Sequence, residues 1–369
     1  MKRYLTSQIK SDLRRKMVFL SGPRQVGKTT LARSLLRNDA GYLNWDTDEG
    51  RTAILKKDFA KAAILVFDEI HKYRRWRNFL KGIYDSPRRS FQLLVTGSAR
   101  LDLYRRGGDS LQGRYHHMTL FPLSFAEIDA SSHNDVEQLL QLGGFPEPFL
   151  SGSETLSRRW SMEYRSRVVR DDIRDLEQVI LLDQIELLWL RLPDLVGSPL
   201  SINAVREDLQ SSHRAVSSWM GILERLFCIF RLSPFGTPKI RAIKHAQKHY
   251  HFDWTLVKEP AARFENMIAL HLLKWVTFSQ QTEGRDLDLR YVRTVRGEEI
   301  DFVVTENRFP ILAVECKLSR TAHSSFMKNF TARFADCRAV QVVFENIDPR
   351  QSPEGIETLS ARQFLKEFI

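Results

Sequence analysis

Eight consecutive residues, Gly22-Pro-Arg-Gln-Val-Gly-Lys-Thr29, satisfy the pattern GxxxxGK[ST] in full. Glycines at both ends let the backbone curl until successive N–H groups point inward, the lysine adds a mobile positive charge, and the hydroxyl can ligate a divalent cation. That is chemistry for gripping a polyphosphate. Gly22, Pro23, Arg24, Gln25, Val26, Gly27, Lys28, Thr29 and the following Thr30 would wrap a nucleoside triphosphate such as ATP, with Lys28 on the β and γ phosphates and Thr29 on Mg²⁺. A second pair of reactive residues, Asp68-Glu69, closes the apolar run Ala63-Ile-Leu-Val-Phe67. Asp68 suits the water shell of Mg²⁺ and Glu69 can orient and polarise an attacking water, so the pair implies hydrolysis beyond mere binding.

The flanking segments are those such a site requires. Met17-Val-Phe-Leu20 is a short β-prone run, and Leu31, Leu35 and Leu36 recur at helical spacing, so strand, loop and helix follow one another. The run ending at Asp68 reads as a buried parallel strand with acidic residues at its carboxyl end. A third apolar run, Phe91-Gln-Leu-Leu-Val95, leads into Thr96-Gly-Ser98.

The strings GPRQVGKTT, FDEIHK and TGSA, a Gly-Arg pair at 113–114, Phe121-Pro-Leu-Ser-Phe-Ala-Glu127 and Gly143-Gly-Phe-Pro146 together resemble a widespread group of bacterial and archaeal AAA-family ATPases, over nearly the whole chain. The resemblance implies an ATPase core followed by a winged-helix segment and a domain related to restriction-endonuclease folds. It also implies that Ser98 or Thr96 senses the γ-phosphate and that Arg114 is the arginine finger offered to a neighbouring subunit, with Arg105 and Arg106 as rivals. Gly144-Phe-Pro146 looks like the element that starts the lid of related ATPases.

Downstream, residues 151–195 read as helical and Gly197-Ser-Pro199 breaks them. Ser201–Leu209, the turn at Ser211-Ser212, Ala215–Leu226 and the strand Phe227–Leu232 follow in winged-helix order, with Arg214, Ser217, Ser218 and Trp219 near the start of the second helix. In the last third, Asp301 on one strand and Glu315-Cys-Lys317 on the next form the Asp, Glu-x-Lys pattern of PD(D/E)xK nucleases. Strand alternation puts Glu315 and Lys317 on one face. The carboxylates, with Glu265 from a preceding helix, would bind Mg²⁺, and Lys317 would polarise a water; a salt-bridged structural trio is the alternative.

Net charge is +11, but residues 1–125 carry a surplus of +14 and the remainder −3. The clusters Arg14-Arg15-Lys16, Lys72–Arg77, Arg88-Arg89 and Arg105-Arg106 exceed what one triphosphate needs, and Tyr73 and Trp76 interleave aromatic rings, as single-stranded nucleic acid would use. Three cysteines without metal spacing point to neither disulfides nor zinc, and the absence of a long apolar run argues against a membrane. The expected fold class is α/β: a P-loop AAA-type ATPase core at 1–150, a helical lid at 151–196, a winged helix at 197–256 and a nuclease-like α/β domain at 257–369. The expected activity is a cytoplasmic, Mg²⁺-dependent ATPase acting on DNA as a homo-oligomer such as a ring. The alternatives are a nucleotide-controlled signalling or defence switch with a protein partner, and an ATP-regulated DNA nuclease.

Overall fold

Five short runs without an exposed residue, Met17–Ser21 (β1), Tyr42–Asn44 (β2), Ile64–Asp68 (β3), Gln92–Thr96 (β4) and Tyr115–Thr119 (β5), pair in the spatial order β2-β3-β4-β1-β5, every pair parallel. Continuous apolar strands such as Ile64-Leu-Val-Phe67 belong in a parallel sheet whose two faces are both covered. Phe19, Phe67, Leu93 and Val95 face Trp76, Leu80 and Ile83 of the helix Trp76–Tyr84 on one side. Because all strands run one way, their carboxyl ends share a single edge. The register aligns Asn44 with Asp68 and Asp68 with Thr96 along it. The structure, a computed structural model, describes residues 1–86, 90–97, 111–128, 130–168, 182–236 and 247–369. It divides into two compact units, Met1–Pro122 and Leu123–Ile369.

The second unit begins with helices His133–Leu142, Pro146–Ser151 and Glu154–Arg167. Gly143 ends the first of these at φ 82°, where a Cβ would stand 2.9 Å from Thr255 Cγ2, and Pro146 opens the next at its first turn, where no N–H is missed. Its sheet has nine strands: Pro199–Leu200 (β6), Ile229–Pro234 (β7), Gln247–His251 (β8), Leu287–Arg293 (β9), Glu299–Glu306 (β10), Phe309–Lys317 (β11), Arg338–Val343 (β12), Arg350–Gln351 (β13) and Glu357–Ser360 (β14). Their order is β13-β14-β12-β11-β10-β9-β7-β8-β6. The 23-residue helix Pro260–Thr282 packs across β8, β9, β10 and β11.

Two serine-capped helices, Ile202–Asp208 and His213–Arg225, precede β7, as the sequence order anticipates. What the sequence did not disclose is the parallel pairing of β7 with β9, Ser233 opposite Arg290, which makes the strands of the 197–256 segment part of the same sheet as β9 to β14. The segment after Pro122 also belongs to this unit. Leu123 N donates to Gly144 O at 2.6 Å, and Lys274 forms a buried ion pair with Glu127 while donating to Ser124 Oγ at 2.9 Å.

Candidate nucleotide site and a lysine-centred charge cluster

The loop between β1 and the helix Lys28–Ser34 bends through positive φ at Gly22 (147°), Gln25 (61°) and Gly27 (96°), which turns its amides inward. Gly22 is obligatory for a second reason: a Cβ there would lie 2.3 Å from Leu120 O. Lys28 is buried and its Nζ donates to Gly22 O at 3.0 Å and Pro23 O at 2.6 Å, so the ammonium spans the curl of the loop. Arg3, which sequence reading overlooked, braces the loop from outside by donating to Val26 O at 2.7 Å and to Phe121 O. Inward amides, a held ammonium and the neighbouring hydroxyl fit a triphosphate with its Mg²⁺.

Asp68 stands at the end of β3 and receives three hydroxyls. Thr29 Oγ1 donates to Oδ2 at 3.1 Å, Tyr42 Oη donates to the same oxygen, and Thr96 Oγ1 donates to Oδ1. Thr96 therefore acts as a positioner of Asp68, while Ser98, the other candidate at that strand end, lies outside the described residues. Tyr42 carries no motif signal. Its phenol is pushed upward in pKa by burial and then by the Asp68 carboxylate, so it stays protonated as a donor.

Glu69 follows in a left-handed backbone conformation, φ 56°, with its N–H donating to Thr96 O at 3.0 Å. Burial, and then the charge of Asp68, raises its pKa against the pull of Lys28 and Lys72. Its Oε2 lies 3.6 Å from His71 Nε2 and 3.7 Å from Lys72 Nζ. Burial lowers His71 to about 4, leaving that ring neutral near pH 7. A carboxylate biased toward holding a proton, next to a second buried carboxylate, is equipped to accept one from water.

The remaining candidates are distributed over both units. Arg114 forms a two-pronged pair with Asp85, 2.8 and 3.0 Å, where β5 begins, at the sheet edge opposite Lys28. Arg105 and Arg106 lie outside the described residues. Trp76 is not an exposed stacking ring: it is 5% exposed and packs on Phe19 at 5.9 Å, because Trp76, Leu80 and Ile83 share one helix face turned to the sheet. Tyr73 is stacked on Trp45 at 4.8 Å, and Lys72 pairs with Asp46 at 2.6 Å. Trp219 is likewise core, 5% exposed beside Val216, Met220 and Leu223, so of Arg214, Ser217, Ser218 and Trp219 the first three keep exposure.

In the second unit, the fully buried Lys248 of β8 sits among the carboxylates. Its Nζ is 3.1 Å from Glu265 Oε1 and 4.0 Å from Asp301 Oδ1, and it pairs closely with Glu299. Tyr250 Oη donates to Glu265 Oε1 at 2.6 Å and Cys316 N to Asp301 Oδ2 at 2.7 Å. Glu315 instead pairs with Lys317 at 3.1 Å. Among the described residues no group of three or more His, Cys, Asp or Glu is arranged to hold a metal ion. The ammonium of Lys248 thus stands at the centre of Glu265, Glu299 and Asp301, while Glu315, the other carboxylate of the expected Mg²⁺ site, pairs apart from it with Lys317. Burial would lower the lysine pKa, but Glu265, Asp301 and Glu299 together raise it. Burial and then Glu265 lift Asp301 to about 7. Lys248 was findable: in Gln247-Lys-His-Tyr-His251 alternation puts Lys248 and Tyr250 on one face.

Cys228, Cys316 and Cys337 are not joined in disulfides, and among the described residues no helix is long and apolar enough to cross a membrane. Residues 14–129 match the family model of an AAA domain, residues 133–263 match a domain of unknown function (DUF8612), and residues 261–364 match another (DUF4143). An uncharacterized protein of Methanocaldococcus jannaschii is 21% identical over 96% of this chain and 87% of its own length. One of Haemophilus influenzae is 23% identical over 77% of this chain and 78% of its own. One of Mycobacterium tuberculosis is 25% identical over 59% of this chain, which spans 50% of that protein. Among solved structures, a RuvB variant of Thermotoga maritima aligns over 62% of this chain and 88% of its own at 15% identity with a TM-score of 0.30. A signal transduction ATPase with numerous domains from Pyrococcus horikoshii aligns over 76% and 47% at 12% identity with a TM-score of 0.24. With the loop, the Asp68-Glu69 pair and the match over 14–129 together, the N-terminal part of this chain is a P-loop unit similar to AAA ATPase domains.

Proposed function

We propose that this chain is a Mg²⁺-dependent ATPase of AAA type that works as a homo-oligomer and binds and remodels, or translocates along, DNA. The convergence of Lys28, Thr29, Asp68 and Glu69 at the carboxyl edge of one parallel sheet carries the reading. Bound Mg²⁺ would neutralise charge on the β and γ phosphates. Lys28 would exchange its loop carbonyls for phosphate oxygens, Thr29 and Asp68 would face the cation, and Glu69 would take the proton of the attacking water. The surplus of positive charge on residues 1–125 supports a polyanionic partner. The two helices before β7, with exposed Arg214 and Ser218, support a winged-helix contact to DNA. The C-terminal strands enter as a scaffold, a reading supported by the ion pairs of Lys248 with Glu265 and Glu299.

Titration calorimetry with Mg-ATP and steady-state turnover test this directly. Lys28→Ala should lose measurable binding. Glu69→Gln should still bind but hydrolyse on the order of 100-fold more slowly. Turnover at the parental rate in Glu69→Gln would remove Glu69 from the role of base.

A further inference from the structure

The parallel sheet of the first unit has two chemically different edges. Its carboxyl edge carries Asp68 and Thr96 and faces the phosphate loop. Its amino edge is formed by residues that precede the strands, tied side by side by Met17 N to Arg114 O at 3.0 Å, Gln92 N to Ala63 O at 2.8 Å and Tyr84 Oη to Arg15 O at 3.2 Å. Lys56, Lys57 and Lys61 lead into β3 at this edge, and Arg14, Arg15 and Lys16 lead into β1, two strands away across β4. All six lack an ion-pair partner among the described residues, and all but Lys16 are exposed. Elsewhere on the unit Arg33, Arg51 and Lys72 are each committed to an aspartate.

Between the β3 and β4 approaches lies a cavity of about 480 Å³ lined by Lys57, Phe59, Lys61, Ser90 and Phe91. Phe59 and Phe91 are half-buried, 6.0 Å apart and near perpendicular at 81°, and Phe59 is anchored from beneath by Phe67 at 5.7 Å. Uncommitted ammonium groups at the rim of a recess with aromatic walls match a phosphate backbone whose bases are free to leave their stack. An acidic protein or an anionic lipid surface would use the lysines and leave the two rings unmatched. A duplex would keep its bases paired and out of the recess.

We propose that this amino edge is a binding site for single-stranded nucleic acid, with phosphates along Lys56, Lys57, Lys61, Arg14 and Arg15 and one base held against Phe59 and Phe91. The inference rests on the DNA reading above and assigns its contact to the edge away from ATP, roughly 16 Å distant for five strand residues at about 3.3 Å each. It also removes the aromatic role from Tyr73 and Trp76, whose rings are used in packing.

Fluorescence anisotropy of a labelled oligothymidylate, titrated with the full-length chain at several salt concentrations, tests it. Lys57→Glu/Lys61→Glu should bind at least tenfold more weakly and lower the salt slope by about 1.4. Phe59→Leu/Phe91→Leu should lose about tenfold in affinity for the single strand while binding duplex as before. Basal ATP turnover without nucleic acid should be unchanged in both, which also reports that they fold. Wild-type affinity in Lys57→Glu/Lys61→Glu, with loss in Arg74→Glu/Arg75→Glu at the other edge, would overturn the placement. Loss in the lysine variant with none in the phenylalanine variant would reduce the site to a plain electrostatic face and overturn the base pocket. Failure of the unaltered chain to bind any oligonucleotide at low salt would end the nucleic-acid reading itself.

Discussion

Asp68 carries its charge into a buried corner, 5% exposed, and three hydroxyls, from Thr29, Tyr42 and Thr96, accept that burden. Removing one donor while keeping the shape leaves a carboxylate short of a partner, which costs about 1.5–3 kcal/mol when the group is charged. Thr96→Val, isosteric and fully buried, should therefore lower stability by about that amount in chemical denaturation and reduce turnover, since the carboxylate loses its orientation. A variant as stable and active as the parent would show that Thr96 is a bystander. Glu69 makes a second claim testable at this scale. Its raised pKa means the carboxylate form is depleted as pH falls sooner than for an ordinary glutamate, so the acid limb of the turnover profile should lie above the usual carboxylate range. Lys28, Thr29, Asp68 and Glu69 were legible in the sequence because each sits at a fixed offset from a glycine or a strand end. Tyr42 was not, because it reaches Asp68 across 26 residues from an edge strand of three residues with no pattern of its own.

At the scale of elements, β1, β3 and β4 announced themselves as unbroken apolar runs, and the structure shifts their bounds by no more than a residue. The helix His213–Arg225 was legible too, as 215–226, but Trp76 was read as a ring available for stacking; the spacings 76, 80, 83 and 216, 219, 220, 223 are the core-facing stripes of the two helices Trp76–Tyr84 and His213–Arg225. The pairing of β7 with β9 had no local signal, since a parallel partner some sixty residues away depends on the whole layer stacking. Within that layer, Lys248 is a buried charge whose removal uncovers Glu265, Glu299 and Asp301. Lys248→Met should destabilise the second unit by about 3–5 kcal/mol, read from its denaturation midpoint. Asp301 adds a pH dependence of definite sign. Its pKa rises from 3.8 to about 7 on folding, so the native state binds this proton more tightly and the contribution of Asp301 to stability falls as pH climbs from about 4 to about 7, opposite in sign to that of His249 and His271, which burial lowers to about 4. Asp301→Asn, which keeps an acceptor for Cys316 N, should remove that contribution, so that the stability difference between variant and parent changes with pH across this window; a difference that stays constant would mean that the carboxyl titrates normally.

For the molecule as a whole, the division at Pro122 separates the chemistry as well as the chain: the phosphate loop and Asp68-Glu69 belong to Met1–Pro122, the lysine-centred cluster to Leu123–Ile369. Each unit has its own sheet and its own core, around Phe19 and Phe67 in the first and around Ile300 and Val303 in the second. Two cores with separate sheets are expected to unfold in separable steps. A ligand that binds one native unit stabilises that unit alone, by about 2.7 kcal/mol at a hundred times its dissociation constant. Scanning calorimetry should accordingly show two transitions. Mg-ATP should raise only the one that Thr96→Val lowers, and Lys248→Met should shift only the other one down. The pair of perturbations is the check, because each marks its own unit by a different physical cause. A single transition that moves as one with nucleotide, with Thr96→Val and with Lys248→Met would mean that the two units fold as one cooperative body, and it would tie nucleotide occupancy at the phosphate loop directly to the stability of the lysine-centred sheet.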